Sequence, residues 1–191
     1  MAKEENIIVP VAAGLALLLL FSGDDPKPPV YVPSPGSTAP TDFIKKYWNE
    51  ALLSQSATTI PALTTITQAG LESGWGRSAP RFNFFGIKDS ANDSWKGEYQ
   101  ILPTKEYVNG KLINTTGKFR AYGSAREGFA DHGRFFLENP RYKYALPYVN
   151  DNIRFVQEIA KAGYATDPNY ADKMINTMKI VVGVLQRHNL I

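Results

Sequence analysis

Gln68-Ala-Gly-Leu-Glu-Ser-Gly-Trp-Gly76 decides how this chain is read. The residues leading into it, Thr59 to Thr67, predict a helix, with Thr59 as N-cap and Pro61 in the first turn. Leu63, Ile66 and Gly70 recur at helical spacing and mark a buried face. The helix cannot run far beyond Ser73, because Gly74 and Gly76 bracket Trp75. Glu72 therefore falls in the last turn. The helix C-terminus carries partial negative charge, which disfavours an ionised carboxylate there. Apolar neighbours such as Trp75 would push its pKa the same way. A carboxyl kept protonated near neutral pH can serve as a general acid. The glycines would let a bulky ligand approach the backbone. Spacing alone leaves a second reading open: a surface Glu on a frayed helix end.

Composition narrows the field around this stretch. The chain has 191 residues, enough for one good core plus appendages. A formal charge of +3 suits an anionic partner but is too weak to argue for nucleic acid, and no arginine-rich run appears. No nucleic-acid partner is expected. Cysteine is absent, which excludes disulfides, Cys-based zinc sites and a Cys nucleophile. With only His132 and His188, a His-rich catalytic metal site is not expected either, and no cofactor is implied.

Upstream, Ile7 to Phe21 is an uncharged apolar run broken only by Pro10 and Gly14. With Ser22 and Gly23 it reaches the lower limit of a membrane span, about 17 residues. Residues 1–23 are read as a retained N-terminal membrane anchor, with membrane contact through 7–23. A cleaved secretory signal lacks its small-x-small cleavage pattern, since Leu20 and Phe21 occupy those positions. A buried or oligomeric apolar segment is the other alternative. Residues 24–40 hold six of the thirteen prolines and read as an extended tether. Its reach is on the order of 50 Å. The folded domain is assigned to 41–191.

Within that domain, Thr41 is placed to cap a helix with Ile44, Tyr47, Trp48, Ala51 and Leu52 inward. Asn83 to Lys88 reads as a short extended piece. Asn109-Gly110 is a strong hairpin turn signal, with Thr104, Glu106 and Val108 alternating before it. Lys111 to Ile113 supplies the return strand, and Lys118 to Tyr122 is a candidate third. Ser124-Ala-Arg-Glu127 is a capping box opening a helix whose Phe129, His132 and Phe136 share a face. His132 on that apolar face reads as a hydrogen-bonded core histidine rather than a catalyst. Asn150 or Asp151 caps a helix bearing Ile153, Val156 and Ile159, which stops at Gly163. Asp167-Pro168 begins the last helix, with Tyr170, Met174, Met178, Val181 and Leu185 inward and His188 in a solvated tail. The expected fold class is α+β, mainly α: five helices around one core with a small β-hairpin lobe, preceded by an apolar N-terminal helix and a Pro-rich tether.

A helical domain with a projecting hairpin leaves a groove between two lobes. Glu72 would line one wall, and Glu106 on the hairpin can face it. Two carboxyls across a cleft are the minimal apparatus for cleaving a glycosidic bond. A solvent-facing strand residue paired with Lys105 or Lys111 is the competing reading of Glu106. Trp75, Phe85, Trp95, Tyr107 and Tyr164 are candidate sugar platforms, with ordinary core packing the alternative for each.

The motifs together have a family likeness. The 68–76 stretch, Asn83-Phe-Phe-Gly-Ile-Lys88, Thr104-Lys-Glu-Tyr-Val-Asn-Gly110, Phe119-Arg-Ala-Tyr122, Asp131-His132, Asn139-Pro-Arg-Tyr142 and Gly163-Tyr-Ala-Thr-Asp-Pro168 run in order from about Thr41 to His188. In this the domain resembles the bacterial endo-β-N-acetylglucosaminidases of glycoside hydrolase family 73, the type found in flagellar-rod peptidoglycan hydrolases and autolysins. The resemblance implies a lysozyme-like fold and hydrolysis of the β-1,4 bond after N-acetylglucosamine in peptidoglycan. It makes Glu72 the general acid and puts Glu106 at the second carboxylate. That carboxylate acts either as general base or by orienting the substrate's own N-acetyl group. Tyr164 matches a tyrosine lining the family's cleft. Gly70 stands where the family commonly has alanine. A lytic transglycosylase or muramidase of the same fold, or a catalytically silent wall-binding module, are the alternatives. The tether and anchor lie outside the resemblance. They imply a catalytic domain held at a membrane and facing the wall, in a cell or in a virion.

Overall fold

The computed structural model describes residues 39–90, 95–108 and 111–191, with the backbone alone at 105–108 and 111–112. The predicted anchor, most of the tether and the Asn109-Gly110 turn lie outside the described residues. Among the described residues no helix is long and apolar enough to cross a membrane.

Among the described residues five α-helices carry the domain: α1 (Ala39–Thr58), α2 (Ala62–Ser73), α3 (Ala125–Glu138), α4 (Asn152–Lys161) and α5 (Tyr170–Arg187). One antiparallel hairpin, β1 (Tyr99–Val108) with β2 (Lys111–Arg120), is inserted between α2 and α3. Helix α1 starts at Ala39, so the expected linker boundary at residue 40 falls inside its first turn. Pro40 fits there because the first-turn amides have no intrahelical acceptor to lose. The buried stripe of α1 is Phe43, Ile44, Trp48, Ala51, Ser54 and Thr58. Leu52, expected inward, is exposed on the flank of that stripe.

The turn into α2 differs from expectation. Thr59 does not cap α2; it closes α1 in a left-handed conformation (φ 65°), its N–H donating to the Gln55 carbonyl at 2.7 Å. Three residues must reverse the chain here, so Thr59 is spent on the reversal. The cap comes from elsewhere: the Ala62 N–H donates to the Gln55 side-chain oxygen at 2.6 Å. Helix α2 then runs through the middle of the domain, packed by α1, α3, α4 and α5. It ends as predicted, with Gly74 left-handed (φ 59°) and its N–H bonded to the Gly70 carbonyl.

The interior is two apolar clusters rather than one core. The first joins α1 and α2 to Trp75, Phe84, Phe85, Ile87, Phe129 and the C-terminal half of α5. The second joins Ile60, Phe136, Tyr142, α4, Tyr164 and the N-terminal half of α5. His132 bridges them: its ring stacks on Phe85 with centroids 3.7 Å apart and meets Phe136 edge-on at 5.0 Å. Neither His132 nitrogen finds a hydrogen-bond partner among the described residues. The core location was expected; the hydrogen bond was not found. Burial holds the ring neutral, dropping its pKa from 6.5 to about 3.

The predicted third strand is absent from the sheet. Lys118 to Arg120 instead continues β2, whose full register runs from Val108↔Lys111 to Tyr99↔Arg120. A hairpin this long is marginal alone, so its base must be held. Asn83 to Lys88 does the holding, as a turn with one bridge, Lys88↔Phe119, and not as a strand. The Asn83 amide donates to the carbonyls of Ile87 (2.9 Å) and Arg120 (2.8 Å), and its oxygen accepts from the Ile87 N–H. Arg120 then pairs with Asp131 of α3 at 2.8 Å, both side chains buried, and the Tyr122 hydroxyl donates to the same carboxylate oxygen.

The capping box at α3 forms with a shift. Ser124 Oγ accepts from the Glu127 N–H as expected, but the Glu127 carboxylate accepts from Gly123 N, one residue before the cap. Asp151 caps α4 through the Arg154 N–H. On α4, Phe155, Val156 and Ile159 face inward, while Ile153 in the first turn is exposed. Helix α5 begins at Tyr170, after an Asp167 turn, with the expected five side chains buried.

Candidate active site

Glu72 ends up inside the protein. It sits in the last turn of α2, 4% exposed, on the side that meets the start of α5. Gln68 lies one turn earlier on the same face, as i and i+4 positions must. Tyr170, the first residue of α5, spans the pair. The Gln68 amide nitrogen donates to the Tyr170 hydroxyl oxygen at 2.8 Å, and Tyr170 is also hydrogen-bonded to Glu72. Burial and, after it, the nearby Glu72 charge raise the Tyr164 hydroxyl pKa, and its ring stacks on Tyr170 at 5.5 Å. Lys173, one turn into α5, brings a positive charge to the group and is ion-paired to Asp167.

These neighbours set the protonation of Glu72. Burial pushes the carboxyl up from 4.5 to about 7; the Tyr170 hydrogen bond and the Lys173 charge pull down without cancelling it. The result is a carboxyl that holds its proton near neutral pH while buried among hydroxyls, which is the state a general acid requires. The frayed-surface reading of Glu72 is thereby excluded.

The surroundings of Glu72 are not those the sequence suggested. Trp75 does not cover it. Gly70 and Glu72 are two residues apart and point to nearly opposite sides of the helix. Trp75 folds back over the Gly70 side: a Cβ added at Gly70 would lie 2.6 Å from Trp75 Cζ3. The indole is buried there, edge-on to Phe43 at 6.0 Å. Phe85 is likewise buried against His132. Both are therefore core residues here and offer no exposed ring face to a sugar. Tyr164 is buried too, but beside the acid. Trp95 is half-buried, bonded through its indole N–H to the Glu98 carbonyl, edge-on to Tyr122 and 5.1 Å from the Arg120 guanidinium.

Glu106 and Tyr107 are placed by backbone alone. They lie near the tip of β1, opposite Ile113 and Leu112. Sequence reasoning missed Gln68, Tyr170 and Lys173 as parts of the acid's surroundings. The available signal was a Gln one helical turn before the Glu on a buried helix. Nothing local could have supplied Tyr170, which comes from the far end of the chain.

Comparison with known proteins places these features in context. Residues 48–181 match the family profile described as mannosyl-glycoprotein endo-beta-N-acetylglucosaminidase. The chain is 39% identical over 139 residues to the peptidoglycan hydrolase FlgJ of Vibrio cholerae, a match covering 65% of this chain and 41% of that protein. It superposes on a peptidoglycan hydrolase mutant from Sphingomonas sp. A1 with a TM-score of 0.67 and 32% identity, covering 78% of this chain and 99% of that one. A C-terminally truncated glycoside hydrolase domain from Salmonella typhimurium FlgJ gives a TM-score of 0.62 at 34% identity, covering 75% and 98%. The chain spans about half the length of the curated relatives it matches.

Proposed function

Because this chain belongs to the glucosaminidase family described as mannosyl-glycoprotein endo-beta-N-acetylglucosaminidase, we propose that it hydrolyses β-1,4 glycosidic bonds after N-acetylglucosamine in bacterial peptidoglycan. The observation that carries this reading is the buried Glu72, held protonated up to about pH 7 at the end of the central helix. In the proposed reaction Glu72 gives its proton to the leaving glycosidic oxygen as the bond to the anomeric carbon breaks. Glu106 is the second carboxylate, either activating water or orienting the substrate's N-acetyl group. Tyr164 borders the acid. The hairpin that carries Glu106 is tied to the helical body at its base, through Asn83 and the Arg120–Asp131 pair.

Glu72→Gln is the direct test. It keeps the shape of the side chain and removes the acidic proton. Purified sacculi should no longer be solubilised, while the melting curve stays cooperative. Clearance at the wild-type rate would remove Glu72 from the role of acid. Mass spectrometry of the wild-type digest then identifies the bond. N-acetylglucosamine at the new reducing end supports the proposal; 1,6-anhydro ends would make the enzyme a transglycosylase, and muramic acid reducing ends a muramidase. Sacculus binding without any product would leave a silent wall-binding module.

The proposal extends to location. An anchor over residues 7–23 and the tether after it would hold the domain at a membrane within reach of the wall, in a cell or in a virion; the support is the apolar run and the proline content. Fractionation with and without residues 1–23 tests the anchor. The presence of the protein in purified virus particles, or its absence, tests the virion.

A further inference from the structure

The Gln68–Tyr170–Glu72 chain does more than bury a carboxyl. A tyrosine hydroxyl has one proton to give and lone pairs to receive with. The Gln68 amide nitrogen occupies the receiving side at 2.8 Å. The single Tyr170 proton is thus left for Glu72, and the two groups are hydrogen-bonded. Gln68, Glu72 and Tyr170 are all buried, so water does not compete for these contacts.

We propose that Tyr170, oriented by Gln68, is a positioning residue for Glu72. By donating to one carboxyl oxygen it confines the transferable proton to the other. An acid free to carry its proton on either oxygen would point it the wrong way part of the time. The chain Gln68 to Tyr170 to Glu72 removes that choice before substrate arrives, which is preorganisation in the sense that matters for proton transfer. The ring of Tyr170 is held in turn by stacking on Tyr164. Among the described residues, the charged and titratable groups facing Glu72 are Tyr164, Tyr170 and Lys173, and Lys173 is tied to Asp167.

The inference rests on Glu72 being the acid, and its test includes a reading taken without turnover. In Tyr170→Phe the ring stays and the hydroxyl goes. The Glu72 titration midpoint, followed by side-chain carbon NMR on the full chain with labelled glutamate, should rise by about one pH unit, because a donor to the ionised form is lost. In the same variant kcat on peptidoglycan should fall roughly tenfold or more with KM within about twofold, and the alkaline limb of the pH profile should move up with the midpoint. Gln68→Leu keeps the hydroxyl but frees it to rotate, so a smaller rise and a smaller loss of kcat are expected. It also carries the test if Tyr170→Phe fails to fold. A rising midpoint supports the relay even where the wild type proves inactive, in which case the proposed activity is what fails. An unchanged midpoint overturns the relay. So does a lowered one, which would mean that Glu72 donates to Tyr170 and the chain runs the other way.

Discussion

Trp75 lies on Gly70 so closely that a Cβ at position 70 would sit 2.6 Å from the indole Cζ3. Gly70 is therefore the seat of the tryptophan and not a weak point in the helix. Gly70→Ala improves helix propensity by about 1 kcal/mol. It should nonetheless destabilise the domain, because displacing a packed indole costs about 1–3 kcal/mol. Chemical denaturation measures the net effect. Pairing Gly70→Ala with Trp75→Phe should recover part of the loss; a lone Gly70→Ala variant as stable as wild type would show that the indole has room to move.

Glu72 opposes stability as pH rises. Its folded pKa, about 7, lies above its ordinary 4.5, so the folded state binds the extra proton. Its contribution is fully present below pH 4.5 and is lost as pH rises through 7, a change of about 3 kcal/mol. Glu72→Gln carries no such burden. It should melt above wild type at pH 8, and the gap should close by pH 4.5. Parallel melting curves across that range would contradict the burial of this carboxyl.

His132 works in the opposite direction. Its folded pKa is pushed down from 6.5 to about 3, so the unfolded chain binds the proton first. The stabilising contribution is present above pH 6.5 and drains away as pH falls towards 3. His132→Leu loses the stack on Phe85 and is expected to be less stable at pH 7 by about 1 kcal/mol. Its melting temperature should fall less steeply than wild type between pH 6.5 and 4. The slope, rather than the absolute value, is the quantity to compare.

Asp131 is shared by Arg120, Tyr122 and Arg134. Asp131→Asn leaves the buried Arg120 guanidinium without its counter-charge, and removing one partner of such a pair costs about 3–5 kcal/mol. The loss should appear locally as well: amide exchange at Arg120 and Phe119, the base of β2, should speed up before that of α2. Tyr122→Phe, which removes one neutral donor, should cost about 1 kcal/mol.

Much of this protein is written locally. Helix α2 stops where Gly74 permits a left-handed cap, and Asp151 and Ser124 open their helices from one side chain each. The inward set of α5 follows from 3.6-residue spacing alone. Such features depend on neighbours within one turn, so a single sequence displays them. The expectation of a general acid at Glu72 came from a signal of the same local kind: a carboxyl placed just before a helix-ending glycine is in the wrong place for a charge.

Other features depend on who meets whom across the fold. Thr59 looks like a cap, but the cap of α2 is supplied by Gln55 from the preceding helix. Trp75 and Phe85 have the chemistry of sugar platforms, and packing on Gly70 and His132 makes them core. Lys118 to Arg120 has the composition of a separate strand, and pairing with Tyr99 to Ile101 merges it into β2. Residue order and local period thus specify the helices, their ends and the suspect carboxyl. That carboxyl keeps its proton because burial desolvates it, and Tyr170 and Lys173, which pull the other way, reach it only when α5 docks on α2. Desolvation and hydrogen bonding act over a few ångströms of space, and chain position says little about which groups will share that space.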